Sequence, residues 1–179
     1  MIISVCGPIG FETAKKIYDE NRGSLEERFA SFFLRQFLQI EREALGTQPT
    51  VFDGLIYASE ITDGGIYRAL WEAGEALECG MSVDNMSIPV RQEVIEILEL
   101  YGETPYECSS AGSWLLVTEK ETDEIVSDGR HIPVFVIGMT DGGNARILKD
   151  KDSVRYLTPP ARQEKDLEDR VRGKTLVAY

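Results

Sequence analysis

The hydrophobic pattern changes period sharply near residue 62. Residues 55–59 (LIYAS) form a short apolar run. After Thr62-Asp63-Gly64-Gly65 the apolar positions Ile66, Ala69, Leu70, Ala73 and Leu77 recur at spacings of three and four. The first pattern predicts a strand and the second an amphipathic helix, joined through a glycine pair. Glycine lets the backbone turn tightly and leaves the first N–H groups of the helix uncovered. Those groups and the helix dipole make a candidate anion site. The simpler alternative is that Asp63 caps the helix and nothing binds.

The remaining pattern predicts strands and helices in alternation. Residues 1–6 (MIISVC) read as a buried strand, Gly7-Pro8-Ile9-Gly10 as a turn, and Phe11–Tyr18 as the start of a helix. An opening directly on a core strand points to a domain cut from a longer protein, although intact proteins also open in this way. Asn21-Arg22-Gly23 breaks the helix. Ser24 and Glu27 then have capping-box spacing at the head of one helix running to Leu45. Its Phe29, Phe32, Phe33, Phe37 and Ile40 form a wide stripe, expected in the core, with a face for a partner domain or subunit as the alternative.

Beyond residue 77, MSVD predicts a short strand, and Pro89 falls in the first turn of a helix with Val90, Val94, Ile97, Leu98 and Tyr101 on one face. Gly102 ends that helix, and Glu93, Glu96 and Glu99 form its solvated side. Residues 103–112 are a loop holding Tyr106, Cys108, Ser109, Ser110 and Gly112, and 113–119 a strand. Residues 120–130 are polar, a short helix or a loop. A strand follows over 131–140, with Pro133 at an edge or entry position. A second Thr-Asp-Gly-Gly, ending at Gly143, lies between two strand-like runs and reads as a hairpin. The flanks of the two copies differ, so they are not an internal repeat. A last strand spans 153–158 and is stopped by Pro159-Pro160. A highly charged helix candidate, 161–173, has Leu167 and Val171 among its few apolar anchors.

Composition narrows the function classes. The 179 residues suit one domain, and 42% hydrophobic residues supply a core. Nineteen basic against 31 acidic residues give a net charge of −12, which argues against nucleic acid and anionic membranes as partners. Cys6, Cys79 and Cys108 form no CxxC pair, so neither a disulfide framework nor a cysteine zinc site is expected. The single histidine, His131, has no serine or cysteine motif beside it and is expected at a strand end. No run of membrane-spanning length and no signal peptide is present, which leads to a cytoplasmic expectation. No Gly-x-x-x-x-Gly-Lys loop occurs, so the chain alone is not expected to hydrolyse ATP.

The central block resembles the aminoimidazole ribonucleotide synthase (PurM-like) superfamily. The residues that carry the resemblance are Ile61-Thr62-Asp63-Gly64-Gly65-Ile66 and Ala73-Gly74-Glu75-Ala76, then a short strand, IPVRQEV and a helix ending in Leu100-Tyr101-Gly102. Pro105-Tyr106 and Ser110-Ala111-Gly112-Ser113-Trp114-Leu115 complete the order. Over roughly residues 1–158 the chain looks most like the C-terminal domain of HypE-type hydrogenase-maturation proteins. The resemblance implies a three-layer α/β/α domain, PurM C-terminal domain-like and partly ferredoxin-like. It also implies an N-terminal partner domain that supplies the ATP and magnesium site and the main dimer contacts. Thr62–Gly65 would lie at the interdomain cleft, near substrate or phosphate. Two features depart from the pattern. The family's terminal cysteine has no counterpart where Tyr179 stands, so thiocarbamate dehydration is not expected. Asp63 places a negative charge beside the anion site and would cap the helix or hold a metal.

The expectations are therefore an α+β domain at 1–158 with a mixed sheet covered by helices, and a charged tail at 159–179. The function expected is that of the substrate-side C-terminal domain of an ATP-dependent enzyme, inactive without its N-terminal ATP-binding domain. The rival is a non-catalytic module that binds a small molecule or a protein. Candidate substrate- or anion-binding residues are Thr62, Asp63, Gly64, Gly65, Ser110 and Gly112, with no metal ligand and no cofactor in this chain alone. A small-molecule or protein substrate and a homodimer are the expected partners.

Overall fold

The computed structural model describes residues 1–45 and 47–160, and the backbone of 175–177. The charged helix expected over 161–173 lies outside the described residues. Among the described residues, nine strands form one mixed sheet: β1 (Ile2–Cys6), β2 (Leu55–Glu60), β3 (Gly80–Asp84), β4 (Trp114–Thr118), β5 (Glu124–Ser127), β6 (Arg130–Asp141), β7 (Arg146–Lys149), β8 (Val154–Tyr156) and β9 (Thr175–Val177). The order is β8-β7-β3-β6-β1-β4-β2-β9, with β5 hanging on the first half of β6. The helices are α1 (Phe11–Glu20), α2 (Arg22–Arg28), α3 (Ser31–Gln39), α4 (Gly65–Ala76) and α5 (Gln92–Leu100). This is the expected α+β class with a mixed sheet.

Strand direction decides where the loops gather. β1 is antiparallel to β4 and β6, β2 is antiparallel to β4, and β3 is antiparallel to β6 but parallel to β7. It follows that β1, β2, β3 and β7 all point the same way. Their carboxyl ends, with the loops that leave them, share one end of the sheet.

Alternation along the strands builds the main core. Ile3, Val5, Tyr57, Met81, Val83, Leu115 and Val117 face Ile66, Ala69, Leu70 and Ala73 of α4. These four α4 positions are the three-and-four spacing read from the sequence. Each fully buried aliphatic side chain contributes about 1.5–3 kcal/mol over an exposed one. A second cluster joins the other helices through Phe11, Tyr18, Leu25, Leu34, Phe37, Val94, Ile97 and Leu98. A third, on the opposite side of the sheet, gathers Cys6, Ala58, Trp114, Leu116, Ile132 and Val134 and contains no helical residue.

Four expectations are corrected. First, the single helix from Ser24 to Leu45 is two helices. Phe29 and Ala30 are extended (ψ 144° and 142°), Asn21 takes the N-cap of α2, and Ser24 sits inside that helix, so no capping box forms. The reason is geometric. Leu25 and Leu34 are nine residues apart, so a continuous helix would point them to opposite sides at roughly 100° per residue. The break lets both enter one cluster. Phe37 is fully buried, Phe29 and Phe33 are half-buried, and Phe32 is 62% exposed, so the aromatic stripe is core only in part.

Second, residues 120–130 contain β5 and a tight hairpin rather than a short helix or a plain loop. Asp128 and Gly129 both have positive φ (52° and 72°), the backbone of a two-residue hairpin turn. Third, the second Thr-Asp-Gly-Gly is not a hairpin: β3 lies between β6 and β7 and pairs with both. Fourth, α5 starts at Gln92 with Arg91 as its N-cap, so Pro89 stands before the first turn. Pro133 lies inside β6, not at its entry: it pairs with Glu124 of β5, one residue before the pairing with β1 begins at Val134, so its β1 side is a local edge.

Candidate functional site

The loops at the carboxyl ends of β1, β2, β3 and β7 meet the segment 101–113 that leads into β4. Ligands of open sheets collect at such ends, because outgoing helix termini and loop backbones converge there. The first contact runs through Ile61, whose N–H donates to the Ser113 carbonyl (2.9 Å) and whose carbonyl accepts from the Ser110 N–H (3.0 Å). The two groups of candidate residues, Thr62–Gly65 and Ser110–Gly112, are thereby brought together.

Their individual settings differ. Thr62, Asp63 and Gly64 are exposed at the tip of the β2–α4 loop. The N-cap of α4 is Gly64, at φ 86°, rather than Asp63. Gly65 is buried at φ 65°, and a β-carbon there would collide with the backbone of Tyr106 and Glu107. The Gly65 N–H donates to the Thr62 carbonyl (2.9 Å), that of Tyr67 to the Tyr106 carbonyl (3.3 Å) and that of Arg68 to the Gly64 carbonyl (3.4 Å). Three of the early N–H groups of this helix are thus held within the chain. Ser110 is fully buried; its Oγ accepts from the Gly10 N–H (2.6 Å) and donates to the Cys108 carbonyl (3.2 Å). The Gly112 N–H donates to Glu60 Oε1 (3.1 Å), and its carbonyl accepts from the Leu45 N–H (2.8 Å). Ser110 and Gly112 therefore stitch the loops together. Beside them, Glu12 Oε2 accepts from Ser109 Oγ and from the Ala111 N–H (3.0 Å).

A ring of side chains at the same end of the sheet was not foreseen. Tyr67 Oη donates to Asn85 Oδ1 (2.8 Å), and Asn85 Nδ2 donates to Asp150 Oδ1 (2.9 Å). Arg155 Nη2 donates back to Tyr67 Oη, and its Nε lies 3.6 Å from Asp150 Oδ2. The Arg155 guanidinium also sits over the Tyr67 ring, 5.0 Å from its centre, and Tyr106 stacks on Tyr67 at 5.4 Å. The ring ties α4, the turn after β3 and the β7–β8 hairpin together. Burial raises both phenol pKa values, opposed in each case by the Arg155 charge, so Tyr67 and Tyr106 stay protonated and able to donate at neutral pH. Nothing in the spacing of 67, 85, 150 and 155 signals this meeting, which depends on the parallel pairing of β3 with β7.

The rest of the chemistry is sparse. Among the described residues no group of three or more His, Cys, Asp or Glu is arranged to hold a metal ion. The three cysteines are free and buried; desolvation pushes the Cys6 thiol up to about 12 and the Cys108 thiol up to about 11. His131 Nδ1 pairs with Glu124 (2.8 Å) on the exposed β5–β6 hairpin, far in sequence from the loop cluster. A shallow depression of about 350 Å³ lies among Arg28, Phe29, Glu96, Glu99 and Leu100 on the helical layer. It is open and apart from the convergent loops. No helix of the described residues is long and apolar enough to cross a membrane.

In comparison with solved structures, hydrogenase maturation proteins are among the neighbours that share this fold. Against E. coli HypE the TM-score is 0.60 at 16% identity, covering 90% of this chain and 50% of that one. HypE from a HypE–HypF complex gives 0.58 at 15% identity, with 89% and 52% covered, and HypE in complex with ATP gives 0.53 at 14%, with 92% and 52% covered. The chain thus has the HypE-like fold and spans about half the length of these neighbours. No protein-family model matches the sequence, and no curated protein matches it significantly.

Proposed function

We propose that this chain is the substrate-side, C-terminal domain of an ATP-dependent enzyme related to the aminoimidazole ribonucleotide synthase and HypE-type proteins, inactive until joined to an N-terminal ATP-binding domain. The observation that carries the reading is the pairing of near-complete coverage of this chain with half coverage of E. coli HypE. One neighbour was solved with ATP and another in complex with a protein. In this reading ATP and magnesium serve the assembled enzyme, the substrate is a small molecule or a protein, and the assembly is a cytoplasmic homodimer. The sequence has no Gly-x-x-x-x-Gly-Lys loop, and among the described residues no group of three or more His, Cys, Asp or Glu is placed to hold a metal ion; in this reading the nucleotide contacts belong to the partner domain.

Within the domain, 1–158, the exposed tip Thr62–Gly64 is the part of the candidate site that faces a ligand. Gly65, Ser110 and Gly112 hold that tip in place through their contacts with neighbouring loops. This division of labour also supports a second reading, a binding module without catalysis, because so much of the loop backbone is committed internally. Co-expression with an ATP-binding half from the same genome separates the two. The enzyme reading expects a stoichiometric complex on size-exclusion chromatography. No complex, together with MgATP binding by this chain alone, would overturn it.

A further inference from the structure

Half of one sheet face is open and apolar. On the other face, Ile3, Val83 and Leu148 share a core with α4. Side chains alternate along a strand, so their neighbours Ile2, Ser82 and Ile147 point from the opposite face. Direct pairing joins these into one row: Tyr156 opposite Ile147, Ile147 beside Ser82, Ser82 opposite Met139, and Met139 opposite Ile2. Val154, next on this face of β8, and Val136, paired with Ser4, widen the row into a strip. Tyr156 is 69% exposed, Val154 65% and Met139 59%, so no described element covers it. The third core cluster, around Trp114 and Leu116, fills the other half of this face and stops short of the strip. Asp84 and Lys149, paired side by side, border the strip at one end, and Asp141, opposite Gly80, at the other.

The chain carries a net charge of −12, yet the strip itself holds no charged residue. It is flat, with neither a groove for a helix nor a group for an ionic ligand. A second flat, uncharged sheet face fits it. The row also complements itself, since the small Ser82 stands between the larger Ile147 and Met139. We infer that this face is the contact between two copies of the chain, packed sheet on sheet about a two-fold axis. Met139 of one copy sits over Ser82 of the other, as side chains interdigitate when two sheets stack about 10 Å apart. The strip crosses four strand spacings of about 4.8 Å, so with its charged rim it offers roughly 600 Å² per copy. A symmetric pair then buries about 1,200 Å², where stable interfaces begin. The inference gives the proposed homodimer a surface, in addition to the dimer contacts that the family resemblance implies for an N-terminal domain.

The test is sedimentation of the full chain alone over a wide concentration range. A concentration-dependent dimer is expected. Met139→Lys should weaken it at least about tenfold, because a lysine there must be buried without a partner. Tyr156→Lys should weaken it in the same direction, and both variants should keep the circular dichroism and urea midpoint of the wild type, since these side chains are exposed in the single copy. Ser82→Cys should yield a covalent dimer with a short bis-maleimide, while the wild type, whose three cysteines are buried, should not. A monomer at every concentration, a dimer unmoved by both folded lysine variants, or a dimer without the Ser82→Cys cross-link would overturn the inference. A monomeric chain whose complex with an ATP-binding half is lost in Met139→Lys would also overturn it, and would assign the face to that half. Failure of the ATP-dependent reading leaves the contact standing, since it is measured on this chain alone.

Discussion

Gly65 lies directly against the backbone of Tyr106, and the carbonyl oxygen that a β-carbon at 65 would strike is the one that accepts the Tyr67 N–H. The glycine at the start of α4 therefore makes room for a loop from elsewhere in the chain, which closes the helix end. A side chain at 65 must meet this backbone while also holding a left-handed conformation, φ 65°. Gly65→Ala should lose at least about 3 kcal/mol in urea unfolding, the sum of backbone strain and a contact that cannot relax. A loss under about 1 kcal/mol would show that the 103–107 segment does not pack on α4 in this way.

Two phenylalanines on one helix should behave in opposite ways. Phe37 is fully buried and meets Phe11 and Tyr18 at 5.2 and 5.6 Å, whereas Phe32 is 62% exposed. Phe37→Ala should cost about 3–5 kcal/mol, and Phe32→Ala less than about 0.5 kcal/mol. Similar costs at both sites would restore the continuous buried stripe expected from the sequence.

The ring at Tyr67 predicts a coupled loss. Tyr67→Phe leaves the Asn85 oxygen without its donor in a site where Asn85 is only 7% exposed, and should cost about 1–2 kcal/mol. A double-mutant cycle of Tyr67→Phe with Asn85→Ala should show a coupling of at least about 0.5 kcal/mol. Strict additivity in that cycle would mean the two side chains do not share a bond in solution.

Alkali should expose the buried thiols. Cys6 is fully buried, and desolvation moves its pKa from 9.0 to about 12 in the folded state. Above pH 9 the unfolded chain loses this proton first and the folded chain keeps it. Stability is therefore intact below pH 9 and falls as pH rises from 9 towards 12. Urea midpoints measured from pH 8 to 11 should decline, and Cys6→Ala should flatten the decline. An unaltered slope in that variant would assign the alkaline loss to other groups.

Much of the fold was legible because its signals are local. The three-and-four spacing of Ile66, Ala69, Leu70 and Ala73 placed α4, and the Thr62–Gly65 junction marked its start to within a residue. The errors came where tertiary packing overrode local pattern. Leu25 and Leu34 demanded a helix break that capping-box spacing alone hid. Asp128-Gly129 was a readable hairpin signal inside a segment read only for its polarity. At the candidate site, the partners of Ser110 and Gly112, Gly10 and Glu60, come from distant segments and leave no local signal. The Arg155 ring was beyond sequence reading altogether, since it exists only through the order of β8, β7 and β3.

The central claim is that this chain is one half of an ATP-dependent enzyme, and MgATP turnover tests it most directly. The assay compares the purified chain, an ATP-binding half from the same genome, and the two combined with candidate substrate. The account predicts no turnover by the chain alone and turnover above the sum of the separate halves on mixing. Robust hydrolysis by the isolated chain, abolished by substitutions within it, would contradict the account.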